Sequence, residues 1–197
     1  MRRAAAILAL TLLLGGCNIV TSPTPLFTEA DTVGGASLRP GVWLAVDPKC
    51  RFDASAPLTS WPDCAGAVTV DREGRLFLDE KEPASIVLTG GDPMVLQVGA
   101  KEDQGGGYSF YGVRPTRTRW DGRVVALSVW FVTCGPSPPD DAKNADGSKR
   151  FATLEPAPGL VVEGNNCVAH DRAAVRAAVV ASEKDGVLRY KWVRARP

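Results

Sequence analysis

Apolar and polar residues alternate over many short stretches of this chain, and this two-residue period predicts β-strands. The period is clearest at Val124 to Cys134 and at Val187 to Arg194. Both faces of the first stretch are largely apolar, so we expect this strand to be covered on both sides or to lie centrally in the sheet. The second stretch alternates Leu188, Tyr190 and Trp192 with other residues and predicts a half-buried strand.

Turns that contain Gly, Pro or Asp separate the stretches and predict β-hairpins. The hairpins predicted in this way pair residues 67–71 with 75–79, 85–89 with 94–99, and 108–119 with 124–134. The turn of the last hairpin is Trp120-Asp121-Gly122-Arg123, where Asp-Gly suits the positive φ angles of a tight turn. Pro115 interrupts the strand before this turn and predicts an edge position or a bulge.

One segment, Asp171 to Lys184, has the period of a helix, and Asp171 is suited to cap its N-terminus. The residues that share its small or apolar face are Ala174, Val175, Ala178, Val179 and Ser182. Short strands in hairpin order with one late helix predict a mainly β fold. We expect a small antiparallel barrel or sandwich with one C-terminal helix before the last strand.

The N-terminus has the order of an export signal. Met1-Arg2-Arg3 precedes the apolar run Ala4 to Leu14, and the small residues Gly15-Gly16 follow, as in the charged, apolar and cleavage regions of a signal peptide. The apolar run is too short for a membrane span, which takes about twenty residues. The segment therefore predicts a processing signal.

Leu14-Gly15-Gly16-Cys17 resembles the lipobox of bacterial lipoproteins. The resemblance implies that Cys17 receives a diacylglyceryl group and becomes the acylated N-terminus, so that its partner is the membrane. By resemblance to Gram-negative lipoproteins, Asn18 rather than Asp after the cysteine favours sorting to the outer membrane, facing the periplasm. The alternative is an ordinary secretory signal with an incidental cysteine. We expect a signal peptide at 1–16, a lipidated tether at 17–35 and a single β-rich domain at 36–197.

The four other cysteines are Cys50, Cys64, Cys134 and Cys167. An even number in an exported chain predicts disulfides. We favour Cys50 with Cys64 and Cys134 with Cys167, because each pair closes one contiguous irregular segment. A zinc site is the rival interpretation, but no two of these cysteines have the spacing of zinc ligands.

Without its signal the chain has 21 basic and 22 acidic residues, a net charge near −1. A near-neutral chain argues against nucleic acid as a partner. No sequence feature predicts a cofactor. His170 is the sole histidine, and without a catalytic motif it is better interpreted as a helix-entry residue beside a capping aspartate. The loop Ala142 to Gly147 resembles part of a calcium-binding loop, but lacks a carboxylate at both ends of the motif and predicts a solvated loop.

Four arginines cluster around the Trp120-Asp121-Gly122 turn. They are Arg114, Arg117, Arg119 and Arg123. Guanidinium groups bind phosphate and carboxylate with two hydrogen bonds, so this hairpin is a candidate site for lipid head groups, lipopolysaccharide phosphates or cell-wall carboxylates. The alternative is a charged hairpin face that keeps a sheet edge soluble.

Gly41-Val42-Trp43 resembles the Gly-x-Trp that opens the first strand of lipocalins, and the helix before a last strand resembles the end of that family. The resemblance implies that Trp43 packs beneath the barrel against an arginine from a late strand, a role for Arg189, and it makes Trp43 a candidate binding residue. The alternative is a tryptophan that fills the core. We expect a non-enzymatic envelope lipoprotein that binds an unknown protein or ligand, or plays a structural part. The alternative function is a lipocalin-like carrier of a small apolar ligand.

Overall fold

The computed structural model describes residues 18–45, 49–62, 64–77, 84–100, 106–184 and 186–195. The expected signal peptide and Cys17 lie outside the described residues. The described strands are β1 (Val20–Ser22), β2 (Gly41–Ala45), β3 (Ala67–Val70), β4 (Leu76–Phe77), β5 (Ile86–Leu88), β6 (Met94–Gly99), β7 (Tyr108–Thr118), β8 (Val124–Phe131), β9 (Leu160–Glu163), β10 (Asn166–Ala169) and β11 (Leu188–Arg194). Helix α1 spans Arg172–Ala181.

The described strands form one open sheet in the order β4-β3-β2-β11-β8-β7-β1-β10-β9, from which β6 and β5 branch at β7. Ser109 of β7 pairs with β1 on one edge and with β6 on the other. Neighbours are antiparallel except β1 and β10, which are parallel. The prediction of a mainly β fold with one helix before the last strand is confirmed. The sheet is mixed, mostly antiparallel and open over the described residues.

Helix α1 packs on one face of the sheet, as its small-residue stripe predicts. Asp171 Oδ1 accepts a hydrogen bond from Ala174 N at 2.8 Å and caps the helix. Trp130 is 1% exposed and its Nε1 donates to Val179 O at 3.0 Å. Opposite Trp130 lies Gly112, where a Cβ atom would meet the indole ring at 2.1 Å. Glycine is therefore required for this close approach of ring and strand.

The other face of the sheet carries a second apolar cluster. Its buried members are Trp43, Val70, Met94, Val113, Val124 and Leu127. They come from β2, β3, β6, β7 and β8, so one core extends from β3 to β7 and to its branch strand β6. Side chains from β11, including Tyr190 and Trp192, pack against it. Burial raises the pKa of Tyr190.

The stretch 17–35 was expected to be a tether, but its described part belongs to the body. Val20 and Phe27 are 0% and 1% exposed, and both belong to the cluster under α1. The Gln97 amide accepts from Leu26 N and Phe27 N at 2.8 and 2.9 Å and donates to Phe27 O at 3.0 Å. The segment folds because a buried amide of β6 and the strands next to β1 satisfy its backbone groups.

The structure contains both predicted disulfides, Cys50–Cys64 and Cys134–Cys167. The second is fully buried and joins the segment after β8 to β10. Disulfides are typical of an oxidising compartment outside the cytoplasm. No helix among the described residues is long and apolar enough to cross a membrane.

Candidate anion-binding surface

The turn between β7 and β8 projects an aromatic ring and several cations. Arg119 N donates to Arg123 O at 2.9 Å and closes the turn. Gly122 has a φ of 78°, which suits glycine, and Arg123 N donates to Asp121 Oδ1 at 3.1 Å. Trp120 is 90% exposed. A large ring held this far out by a closed turn is available to a partner.

Arg114 is the member of the predicted arginine cluster that the fold itself uses. Its Nε and Nη2 donate to the two carboxylate oxygens of Glu183 at 2.7 and 3.0 Å, and its Nη1 bonds to Asp92. These hydrogen bonds hold the pKa of Glu183 below its ordinary value and raise that of Arg114. Arg114 therefore fastens β7 to the segment that follows α1.

The other three arginines of the cluster are exposed. Arg119 Nε lies 3.8 Å from Asp121 Oδ2, at the outer limit of an ion pair. Arg117 and Arg123 form no ion pair with another described residue. Their donors are free to bind an external anion.

The strand register extends this charge across the sheet. Arg117 of β7 lies opposite Ala126 of β8, which lies opposite Lys191 of β11. In the next row Arg114 lies opposite Ser128, which lies opposite Arg189. Directly opposed residues point to the same face of a sheet. These rows therefore share one face, with cations on the outer strands and small side chains between them.

We call Arg117, Ala126, Ser128, Arg189 and Lys191 the basic strip. Strand spacing places the two cations of a row about 10 Å apart, and neighbouring rows are about 7 Å apart. Arg117, Arg189 and Lys191 are exposed and form no ion pair with another described residue. The strip is therefore a basic surface with two small side chains, Ala126 and Ser128, between its cations.

Helix α1 and the Cys50–Cys64 loop border the basic strip on its own face of the sheet. Trp130, two residues beyond Ser128, lies under α1. On the other side, Lys191 lies opposite Leu44, which is 4% exposed. Near that end, Arg194 donates from Nη1 and Nη2 to Ser55 O and Ala56 O in the Cys50–Cys64 loop, both at 2.8 Å. The helix and the disulfide loop therefore leave the basic strip uncovered between them.

The residues singled out by the lipocalin resemblance lie elsewhere. Trp43 is 2% exposed and its Nε1 donates to Arg39 O at 2.9 Å, so it fills the core. The arginine that stacks on a late-strand ring is Arg39, whose guanidinium lies 3.5 Å from the centre of the Trp192 ring. Arg189 is exposed on the basic strip, so its expected role against Trp43 is replaced by one at the surface. The open sheet also gives no support to a lipocalin-like carrier.

The remaining candidates carry no assembled chemistry. His170 is exposed immediately before the helix cap. In the 142–147 loop, Asp146 Oδ1 accepts from Ser148 N and Oγ at 2.9 and 2.6 Å, which closes the loop on itself. No group of three or more metal-ligating side chains is found in the described part of the chain.

Comparisons with protein-family models, with curated proteins and with solved structures find no match to this chain. The strip's chemistry follows from its side chains: guanidinium and ammonium donors bind phosphate and carboxylate oxygens. Sequence reasoning found Arg117 but not Arg189 or Lys191 as members of this site. The alternation in 187–194 placed Arg189 and Lys191 on one face. Only the strand register shows that Ser128, Ala126 and Arg117 lie beside them.

Proposed function

We propose that this protein is an exported lipoprotein, anchored through Cys17, that binds an anionic envelope polymer on the basic strip without catalysing a reaction. The observation that carries the binding proposal is the register of β7, β8 and β11. It gathers Arg117, Arg189 and Lys191, which have no acidic partner among the described residues. Trp120, at the turn of the same hairpin, adds an exposed ring suited to stacking on a sugar or an amide plane.

The anchor proposal rests on the lipobox resemblance and on the disulfides, which fit a compartment outside the cytoplasm. The test compares the full unsubstituted chain with its Cys17→Ser variant, both expressed in the same way. We expect the unsubstituted protein to fractionate with membranes and to carry a diacylglyceryl mass on Cys17. The variant should lose the lipid mass. An unmodified Cys17 in the purified protein would favour the incidental-cysteine alternative.

Binding is tested on the chain from Asn18 onward, exported behind an ordinary secretory signal. The probes are polyglutamate for carboxylate, polyphosphate for phosphate, and neutral dextran as the uncharged control. We expect Arg117→Gln/Lys191→Gln to weaken binding of a polyanion about tenfold, the loss expected from removing charge-assisted hydrogen bonds. The affinity of the unsubstituted chain should also fall steeply with added salt.

Arg72→Gln/Lys143→Gln is the matched control, because it removes the same charge at exposed sites outside the strip. We expect its affinity to stay within about twofold of the unsubstituted chain, since surface charges act weakly at a distance. Equal losses in the two double variants would mean that net charge, and not the strip, attracts polyanions. A preference between polyglutamate and polyphosphate identifies the acidic group.

A further inference from the structure

The first described residue, Asn18, is hydrogen-bonded to the body. No flexible linker would therefore separate the body from a lipid on Cys17. Its Nδ2 donates to Gly135 O at 3.0 Å, its Oδ1 accepts from Thr153 N at 3.1 Å, and its O accepts from Cys134 N at 2.9 Å. Asn18 is 5% exposed. Adjacent Cα atoms lie about 3.8 Å apart, so a lipid on Cys17 would be attached one residue from this end of the fold.

Exposed apolar side chains lie on both sides of Thr153, the residue whose N donates to Asn18. Leu154 is 61% exposed and Phe151 is 42% exposed. Lys149 Nζ lies 5.7 Å from the centre of the Phe151 ring and 3.6 Å from Asp140 Oδ1. An aromatic ring beside a cation suits a head-group layer, although Asp140 already pairs with this cation. We call Lys149, Phe151 and Leu154 the anchor-side patch. Glu155 is also exposed beside it, so its contact with lipid must be mainly apolar.

The turn that carries Trp120 lies at the other end of the long hairpin. Strand β8 runs from Val124, next to this turn, to Phe131, next to the segment that bonds Asn18. Its eight residues separate these ends by roughly 25 Å. A lipid on Cys17, the residue before Asn18, and the Trp120 ring would therefore lie at opposite ends of β8.

We infer that the anchor-side patch lies on the bilayer that holds the Cys17 lipid, while the Trp120 turn points away from it. The inference rests on the proposed function, because it needs the acyl chains at Cys17. Short attachment restricts the orientation of the body, and the patch places its exposed apolar atoms where the acyl chains begin. The hairpin and the basic strip are then presented to a polymer outside the membrane.

The test measures which tryptophan reaches the lipid tails. The full chain is expressed, purified as the lipoprotein and placed in phosphatidylethanolamine and phosphatidylglycerol vesicles with and without bromine on the acyl chains, which quenches nearby indoles. Leu154→Trp in a Trp120→Phe background reports on the patch. Trp120 in the unsubstituted chain reports on the far end. Trp120→Phe alone supplies the emission of the other tryptophans, to be subtracted from both.

We expect bromine to reduce the emission of the tryptophan at position 154 and to leave that of Trp120 unchanged. Quenching of Trp120, or equal emission at position 154 in both kinds of vesicle, would overturn the inference. The mass of Cys17 is measured on the same preparations. Missing quenching on a lipidated protein rejects the orientation alone, whereas a Cys17 without lipid rejects the proposed anchor and the orientation with it.

Discussion

Asn18 has two physical reasons to be asparagine. Its φ is 74°, a left-handed conformation that asparagine tolerates better than most residues. Its amide both donates to Gly135 O and accepts from Thr153 N. The sequence reasoning took this residue as a sorting signal, and the structure adds a folding role. A carboxylate here would keep the acceptor and lose the donor.

We predict that Asn18→Asp destabilises the folded chain by about 2 kcal/mol, because it places a carboxylate against a carbonyl oxygen in a buried site. Urea denaturation at pH 7 measures the loss. Asn165→Asp is the matched control, since it makes the same change at an exposed turn next to Asn18 and should cost less than about 0.5 kcal/mol. Similar losses in both variants would refute the folding role of the Asn18 amide.

At the scale of elements, one ion pair adds to the apolar packing between β7 and α1. Arg114 reaches Glu183 with two hydrogen bonds, and the side chains are 35% and 36% exposed. Water screens a pair this exposed, so its contribution to stability is below about 1 kcal/mol. Its effect is nevertheless measurable through pH, because the pKa of Glu183 is lowered in the folded state.

A lowered pKa means that the stabilisation by Glu183 is present above the glutamate pKa of the unfolded chain, about 4.3. It is lost as pH falls through the lower pKa of the folded state. We predict that Glu183→Gln is less stable than the unsubstituted chain at pH 7 and that the difference shrinks below about pH 4. Denaturation at a series of pH values checks this. Glu163→Gln, at an exposed glutamate of β9, should show no such trend, and a constant deficit for Glu183→Gln would contradict the charge argument.

At the scale of the whole molecule, the two disulfides have different roles. Cys134–Cys167 has a sequence separation of 33 and joins the end of β8 to β10, beside β1. Cys50–Cys64 has a separation of 14 and closes a surface loop. From loop-closure entropy alone, Cys134–Cys167 contributes nearly 4 kcal/mol to the free energy of unfolding and Cys50–Cys64 about 3 kcal/mol. Burial of the first bridge adds packing that its removal would lose.

We predict that Cys134→Ala/Cys167→Ala is less stable in urea than Cys50→Ala/Cys64→Ala by at least about 1 kcal/mol, and that hydrogen exchange accelerates in β1, β9 and β10. Each double variant serves as the control for the other, because both lose one bridge. A smaller loss for the buried pair, or unchanged exchange in β1, would show that this part of the sheet is held without the bridge.

Local order along the chain was readable from the sequence. The helix stripe from Ala174 to Ser182, the turn at Asp121-Gly122 and the two disulfides all depend on residues near one another in the chain or on a closed segment. Their physical causes are periodicity, the φ angle that a turn needs, and short loop closure. Such causes act before the tertiary fold exists. They predicted the mainly β class and the place of α1.

Tertiary structure alone decided the rest. Val20–Ser22 is followed by Pro23 and Pro25, and its strand exists because β7 and β10 supply hydrogen-bond partners more than 80 residues away. The basic strip joins Arg117 to Lys191 only through the register across β8. A one-residue shift of either strand would move these cations to the opposite face. The sequence by itself thus determined the local elements and the disulfide pairing, whereas long-range pairing decided where the exposed cations and the first described residue, Asn18, lie.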